Sequence, residues 1–339
     1  MTNISIVAGP CAVESKTQLM NTAYKLSLMR DIAKPYGVDF KLRGGAWKPR
    51  TTYKVENNGN SERVFEGIGE SALKWLGEAG DKYDLPIVSE LMSEQDMRYF
   101  HRHLNPERDY IQIGARTSQA FALLFAAGVT NFGVILKNPQ HGIDIKEALG
   151  AIERFENNRE VVYCTRGQKR PISPHNDESK AYRQFVGRLN HSPNQHPDSR
   201  NLNNMAWHSI LREQLDPKVK LCHDPSHTWG GKTEEMKRTI GEYAIKAIQQ
   251  GYDWVMLEVN DKSRGLKCDG DQAMLTTTKG VDWSKTCFGE KPKKEPITLI
   301  DVVIGAMEHQ IDNGASKDDF DEDKRRLKKL RWDLEQPTK

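Results

Sequence analysis

Eight short apolar runs recur along the chain, each followed by a stretch of helical period, and this alternation narrows the available folds more than any other feature. The runs are Ile4–Ala8, Gly37–Phe40, Leu85–Glu90, Tyr110–Arg116, Gly133–Lys137, Val161–Arg166, Val219–Asp224 and Trp254–Val259. Helix-period segments lie at 16–36, 71–83, 94–104, 118–127, 144–155, 203–215 and 233–250. Strands apolar on both faces, each trailed by a helix, describe a parallel sheet covered by helices. Eight such units predict a closed (β/α)8 barrel, which about 250 residues suffice to build. No Gly-x-Gly-x-x-Gly follows the first run, which counts against a dinucleotide-binding open sheet.

The chain has 339 residues, and the surplus is localised. Residues 53–63 are polar and aperiodic, and a mobile loop is expected there. Residues 168–200, rich in His, Pro, Asn and Asp, interrupt the sixth unit on the face where strands end, as a lid or a partner contact would. The spacing of His175, His191 and His196 in that loop is too irregular to favour a metal site. Residues 296–313 read as an amphipathic closing helix, and 317–335 as another, with Phe320, Leu327, Leu330 and Leu334 near helical spacing. The expected layout is a barrel over 1–313 with inserts 53–63 and 168–200, then a helical tail over 314–339. That tail is expected on the barrel, on another subunit, or in solvent.

Composition removes several classes of function. Fifty Lys+Arg against 47 Asp+Glu leave a net charge of +3, so no global basic field points to nucleic acid. Mean hydropathy is −0.71. No apolar run approaches the ~20 residues of a membrane span, and Met1-Thr2-Asn3-Ile4 opens no signal peptide, so a soluble, cytoplasmic protein is expected. Cys11, Cys164, Cys222, Cys268 and Cys287 are odd in number and lack any Cys-x-x-Cys pair, which argues for thiols over a disulfide framework or zinc ribbon.

Chemistry-bearing residues collect at the C-terminal ends of the strands, which meet at one rim in this architecture. Lys41 to Thr52 crowds Lys41, Arg43, Lys48 and Arg50 around Gly44-Gly45 and Pro49, and reads as an anion-binding loop. Arg43, Lys48, Arg116, Lys137 and Arg166 converge from the ends of strands two, four, five and six, making a site for a strongly anionic small molecule. Glu90 lies on the same rim. Cys11, His227, Glu258 and Asp269 fall at the ends of strands one, seven and eight, adjacent once the barrel closes. One thiol, one imidazole and two carboxylates suit a divalent metal of borderline softness with a position left open.

These residues lie in segments that resemble the 3-deoxy-D-arabino-heptulosonate 7-phosphate (DAHP) synthases, type I-beta. The segments are Gly-Pro-Cys-Ala-Val-Glu-Ser (9–15), Arg-Gly-Gly-Ala-Trp-Lys-Pro-Arg-Thr (43–51), Gln-Ile-Gly-Ala-Arg (112–116), Ile-Leu-Lys (135–137), Asp-Pro-Ser-His (224–227), Leu-Glu-Val (257–259) and Asp-Gly (269–270). The resemblance runs in order from about residue 4 to 280. It implies a transferase that condenses phosphoenolpyruvate (PEP) with erythrose 4-phosphate and releases phosphate, opening aromatic amino acid biosynthesis by the shikimate route. It further implies that Arg43, Lys48, Ala115, Arg116, Lys137 and Arg166 bind PEP, and that Arg50 and Thr51 hold the aldose phosphate. Cys11, His227, Glu258 and Asp269 would bind Mn2+, Fe2+, Zn2+ or Co2+, with Lys48, Cys11 and His227 in catalysis. A homodimer or homotetramer is implied too. The first strand begins at Ile4, so the N-terminal regulatory domain of some relatives is not expected.

The related 3-deoxy-D-manno-octulosonate 8-phosphate synthases usually carry an Asn-Arg-Ser type segment where this chain has Lys48-Pro49-Arg50-Thr51, which favours the heptulosonate branch. Three departures from the family pattern bear on the second substrate. Cys164-Thr165-Arg166-Gly167 stands where Cys-Glu-Arg-Gly is usual, Glu258-Val259-Asn260-Asp261 where Glu-Val-His-Pro is common, and Asn138-Pro139-Gln140 follows Lys137 where Arg-Gly is commoner. Alternatives are therefore PEP condensation with another aldose such as arabinose 5-phosphate, and a barrel that binds a metabolite without turnover.

Overall fold

The structure is a computed structural model that describes residues 3–50, 54–57, 60–140, 145–169, 201–202, 205, 207–229, 234–260, 274–275 and 297–333. Eight parallel strands form the frame: β1 (Ile4–Gly9), β2 (Val38–Arg43), β3 (Ile87–Leu91), β4 (Tyr110–Ile113), β5 (Gly133–Lys137), β6 (Val161–Thr165), β7 (Lys220–His223) and β8 (Trp254–Asn260). Each pairs with the next, and β8 pairs back to β1 through Ser5↔Trp254 to Gly9↔Glu258, so the sheet closes. This is the (β/α)8 barrel that the periodicity predicts.

Eight helices follow the strands in turn: α1 (Lys16–Ala33), α2 (Glu70–Tyr83), α3 (Met97–His103), α4 (Phe121–Gly128), α5 (Ile145–Glu153), α6 (Trp207–Gln214), α7 (Glu234–Gln249) and α8 (Leu299–Asp312). Local chemistry sets their limits. Ser15 Oγ accepts from the Gln18 N–H at 3.2 Å, capping α1. Asp301 reaches back to the Thr298 N–H at 2.7 Å and starts α8. Alternate strand residues fill two layers. Val7, Val88, Tyr110, Ile135, Val162, Cys164, Cys222, Trp254 and Met256 pack inside the barrel. Ile6, Phe40, Ile111, Val134, Tyr163, Leu221 and Val255 face the helices.

Parts of the chain's surplus form regular structure. Residues 53–63, expected as a mobile loop, contain an antiparallel hairpin of Lys54–Asn57 and Asn60–Arg63, in which each backbone finds ladder partners. At the mouth of the 168–200 insert, Gln168–Lys169 pairs with Asn201–Leu202; residues 170–200, with His175, His191 and His196, lie outside the described residues. The tail forms α9 (Phe320–Asp333) and packs on the barrel: Leu327 is fully buried, Phe320 meets Tyr36 edge-on, and the Tyr36 hydroxyl bonds Asp323 at 3.1 Å. No helix among the described residues is long and apolar enough to cross a membrane.

Candidate active site

The site is built where the strands end. Arg43 closes β2 and Lys137 closes β5, while Glu258 lies near the end of β8 and Arg166 follows β6; all four are buried. After β7 the chain turns into a one-turn helix, Pro225–Trp229, that carries His227. Asp224 stands between, its N–H held by the Thr165 carbonyl at 2.8 Å.

These side chains form a continuous charged chain. Lys137 Nζ donates to Asp224 Oδ2. The same oxygen lies 2.7 Å from His227 Nδ1, and Asp224 Oδ1 accepts from the His227 N–H at 3.0 Å. His227 Nε2 is 3.5 Å from Glu258 Oε1, and Glu258 Oε1 is 3.0 Å from Arg43 Nη1. The Glu258 N–H is anchored on Ser226 Oγ at 3.0 Å.

Burial sets the protonation states. It alone would raise the Asp224 pKa, but His227 and Lys137 outweigh it and hold the carboxyl well below the usual range. Burial pushes His227 down to about 4 against the pull of Asp224, so the imidazole is neutral at neutral pH. With Nδ1–H assigned to the bond with Asp224, the Nε2 lone pair faces the Glu258 carboxylate. Two electron-rich atoms facing each other suit a cation between them, and a carboxylate fixing the histidine tautomer is the usual support of a metal ligand. Burial also weakens the charge on Arg43, yet Glu258, Cys11 and Asp224 reverse this and raise its pKa.

Arg166 differs from its neighbours. Burial lowers its pKa, Asp224 offsets this in part, and Arg116 adds repulsion. Its Nε and Nη1 find no hydrogen-bond partner among the described residues, although both are buried. A desolvated guanidinium with open donors is a receptor for an anion.

Other expected site residues divide into four groups. Cys11 and Lys48 come together, Lys48 Nζ donating to Cys11 Sγ, with Phe65 packed against the buried thiol. Arg50 is half-buried and spends its Nε on the Phe65 carbonyl at 3.2 Å. Ala115 is half-buried and Arg116 exposed, on the loop after β4. Thr51 and Asp269 lie outside the described residues. Among the described residues, no group of three or more His, Cys, Asp or Glu side chains is arranged to hold a metal. His227 and Glu258 supply two donors of the expected set.

Lys41 does not join the anion loop. It points into the barrel one layer below Arg43, where Nζ bonds Ser5 Oγ at 3.0 Å and lies 4.2 Å from the centre of the Trp254 ring. The roles of two neighbours were not read from the sequence. Asp224 links Lys137 to His227, and its only signal was the Asp-Pro-Ser-His segment. Asn138 Oδ1 accepts the Arg166 N–H at 2.7 Å, which positions that cation. Thr165, where the family pattern has Glu, faces away from the barrel interior: its Oγ1 contacts His223 Nδ1 at 2.8 Å and the Tyr252 hydroxyl at 3.0 Å. Gly114 leaves room for the Glu90 carboxylate, which a Cβ there would meet at 1.8 Å.

Comparison with known proteins places the chain in a family. The model of the DAHP synthetase I family matches residues 2–287. A phospho-2-dehydro-3-deoxyheptonate aldolase of Thermotoga maritima is 32% identical over 272 residues, covering 80% of this chain and 65% of the relative. The chain thus spans just under two thirds of that relative's length. A 2-dehydro-3-deoxyphosphooctonate aldolase of Citrifermentans bemidjiense is 23% identical over 291 residues, covering 82% of this chain and 92% of the relative. The crystal structure of a Thermotoga maritima DAHP synthase superposes with a TM-score of 0.60 at 30% identity, covering 80% of this chain and 64% of that one. A truncated form of the Thermotoga enzyme gives 0.57 at 29%, covering 80% of each chain. The chain belongs to the DAHP synthetase I family.

Proposed function

We propose that this protein condenses PEP with erythrose 4-phosphate, giving DAHP and inorganic phosphate, with a divalent metal held by Cys11, His227, Glu258 and Asp269. The observation that carries the reading is Arg166, a buried guanidinium whose Nε and Nη1 have no hydrogen-bond partner among the described residues, flanked by Asn138 and Asp224. Arg166, Lys137 and Arg43, all buried, hold the phosphate and carboxylate of PEP, with Arg116 at the exposed edge of the site. Lys137 is oriented by Asp224, and Arg43 by Glu258. Lys48 Nζ, beside Cys11, is placed to donate a proton to the aldehyde oxygen as C3 of PEP bonds to the aldehyde carbon. Arg50 holds the aldose phosphate and fixes the approach of the two reactants. Water then adds to C2, and the C–O bond of the hemiketal phosphate breaks. The metal would supply Lewis acidity at the aldehyde carbonyl.

A second reading takes arabinose 5-phosphate as acceptor, and the similarity to a 2-dehydro-3-deoxyphosphooctonate aldolase over 82% of the chain favours it. Phosphate release from PEP, measured with each aldose phosphate in the presence of Mn2+, separates the readings. The proposal expects kcat/KM for erythrose 4-phosphate to exceed that for arabinose 5-phosphate at least tenfold. The reverse ratio transfers the protein to the second reading, and binding of PEP without phosphate release makes it a metabolite-binding barrel.

A further inference from the structure

Arg166 is held differently from the other buried cations of the site. Glu258 lies 3.0 Å from Arg43 Nη1, and Asp224 accepts from Lys137 Nζ, so those two are fixed by their heads. The Arg166 head has no such anchor: Nε and Nη1 find no hydrogen-bond partner among the described residues. Its backbone is fixed instead. The peptide unit joining Thr165 to Arg166 is bonded at both ends, the Arg166 N–H donating to Asn138 Oδ1 at 2.7 Å and the Thr165 carbonyl accepting from the Asp224 N–H at 2.8 Å.

The side chain behind that peptide is also set apart. On three strands the residue before the site residue turns to the helices and is apolar: Leu42 before Arg43, Leu136 before Lys137 and Leu257 before Glu258, all buried. Before Arg166 and Asp224 stand Thr165 and His223, polar and fully buried. Thr165 Oγ1 lies 2.8 Å from His223 Nδ1, 3.0 Å from the Tyr252 hydroxyl and 3.3 Å from the Cys222 carbonyl. The Tyr252 hydroxyl in turn lies 3.1 Å from the Met205 carbonyl, ahead of α6. Burying polar groups between sheet and helices carries a desolvation cost that the leucines at the matching positions avoid.

We propose that Thr165 is a positioning residue of the anion site: its hydroxyl, tied to β7 and to Tyr252, locks the strand end from which Arg166 enters the site, in place of an ion pair on the guanidinium itself. The inference rests on the reading of Arg166 as a PEP ligand. A head without an ion pair keeps its donors for the ligand, and a rigid backbone keeps them aimed. Through the same contact His223 steadies the end of β7, which carries Asp224.

Calorimetric titration of PEP into the full chain with Mn2+ present tests this, with far-ultraviolet circular dichroism and urea midpoints on every variant. The expected result is an affinity weakened about tenfold in Thr165→Val, which keeps the shape and loses the hydroxyl, and within about twofold of wild type in Thr165→Ser, which keeps the hydroxyl. Tyr252→Phe removes one partner of Thr165 without touching the strand ends, and should weaken PEP in the same direction; it serves also where Thr165→Val does not fold. Leu327→Ala, destabilised beneath the distant α9, should bind PEP as the wild type does. Unchanged affinity in a folded Thr165→Val or in Tyr252→Phe overturns the proposal, as does an equal loss in Thr165→Ser or in Leu327→Ala. A wild type that binds no PEP overturns the reading of Arg166 itself, a failure distinct from any difference among the variants.

Discussion

His227 Nδ1 lies 2.7 Å from Asp224 Oδ2, and the opposite ring nitrogen is thereby aimed at Glu258. One carboxylate oxygen thus orients the His227 ring and also accepts from Lys137 Nζ.

Asp224→Asn should loosen both arms. The amide keeps the shape but loses the charge opposite Lys137, and losing a carboxylate that supports a ligating histidine typically costs 10–100-fold in metal affinity. Titration of Mn2+ into the apoprotein should show a weakening of about that size, with the KM for PEP raised as well. Unchanged metal affinity together with an unchanged KM would show that Asp224 serves neither partner.

Arg166→Met should move stability and binding in opposite directions. The substitution removes a buried charge whose Nε and Nη1 find no hydrogen-bond partner among the described residues and fills the space with an apolar chain, so the ligand-free protein should gain about 1–3 kcal/mol against urea. On the proposed reading PEP should stabilise the wild type by mass action, and that effect on the midpoint should be lost in the variant. A variant that unfolds earlier yet keeps its PEP shift would contradict the assignment of Arg166 to the anion.

His223 should make stability fall with acid. Burial pushes its pKa down to about 4, against a raising influence from Asp224, whereas histidine in an unfolded chain titrates near 6.5. Above about pH 6.5 both states are neutral and the contribution is constant. Between about 6.5 and 4 the unfolded state alone takes up the proton, and stability declines as pH falls, by at most roughly 3 kcal/mol from this group. His223→Asn, which can retain the bond to Thr165, should show a shallower slope in urea midpoints between pH 7 and 5. Identical slopes would rule out His223 as the source.

The helical tail should be separable by a core truncation. Leu327 is fully buried beneath α9, so Leu327→Ala should cost about 2–5 kcal/mol of docking energy. Hydrogen exchange should then accelerate in 320–333 before it does in the barrel strands, and equal acceleration throughout would mean that α9 unfolds only with the whole chain.

The barrel was legible because each of its strands is buried on both faces and its helices keep a 3.6-residue period; Gly133–Lys137 is the same segment in sequence and structure. Local pairing was less legible. The two strands Lys54–Asn57 and Asn60–Arg63 lack an alternating apolar face, so their pairing gave no periodic signal. In the site, Arg43, Lys137 and Arg166 could be read because their position at strand ends is a property of the sequence. Lys41 could not be separated from them, since residues two apart on a strand share a face and only depth distinguishes the anion site from the layer over Trp254. Asp224 was missed for a related reason: its role lies in contacts with residues 87 positions before and three after it.

The central claim is tested most directly by phosphate release from PEP and erythrose 4-phosphate as Mn2+ is titrated into metal-free wild type and Cys11→Ala. The account predicts saturable, metal-dependent release by the wild type and a loss of at least a hundredfold in the variant, with the fold retained. Release that is equal in the two proteins, or that is indifferent to the metal in wild type, would contradict it.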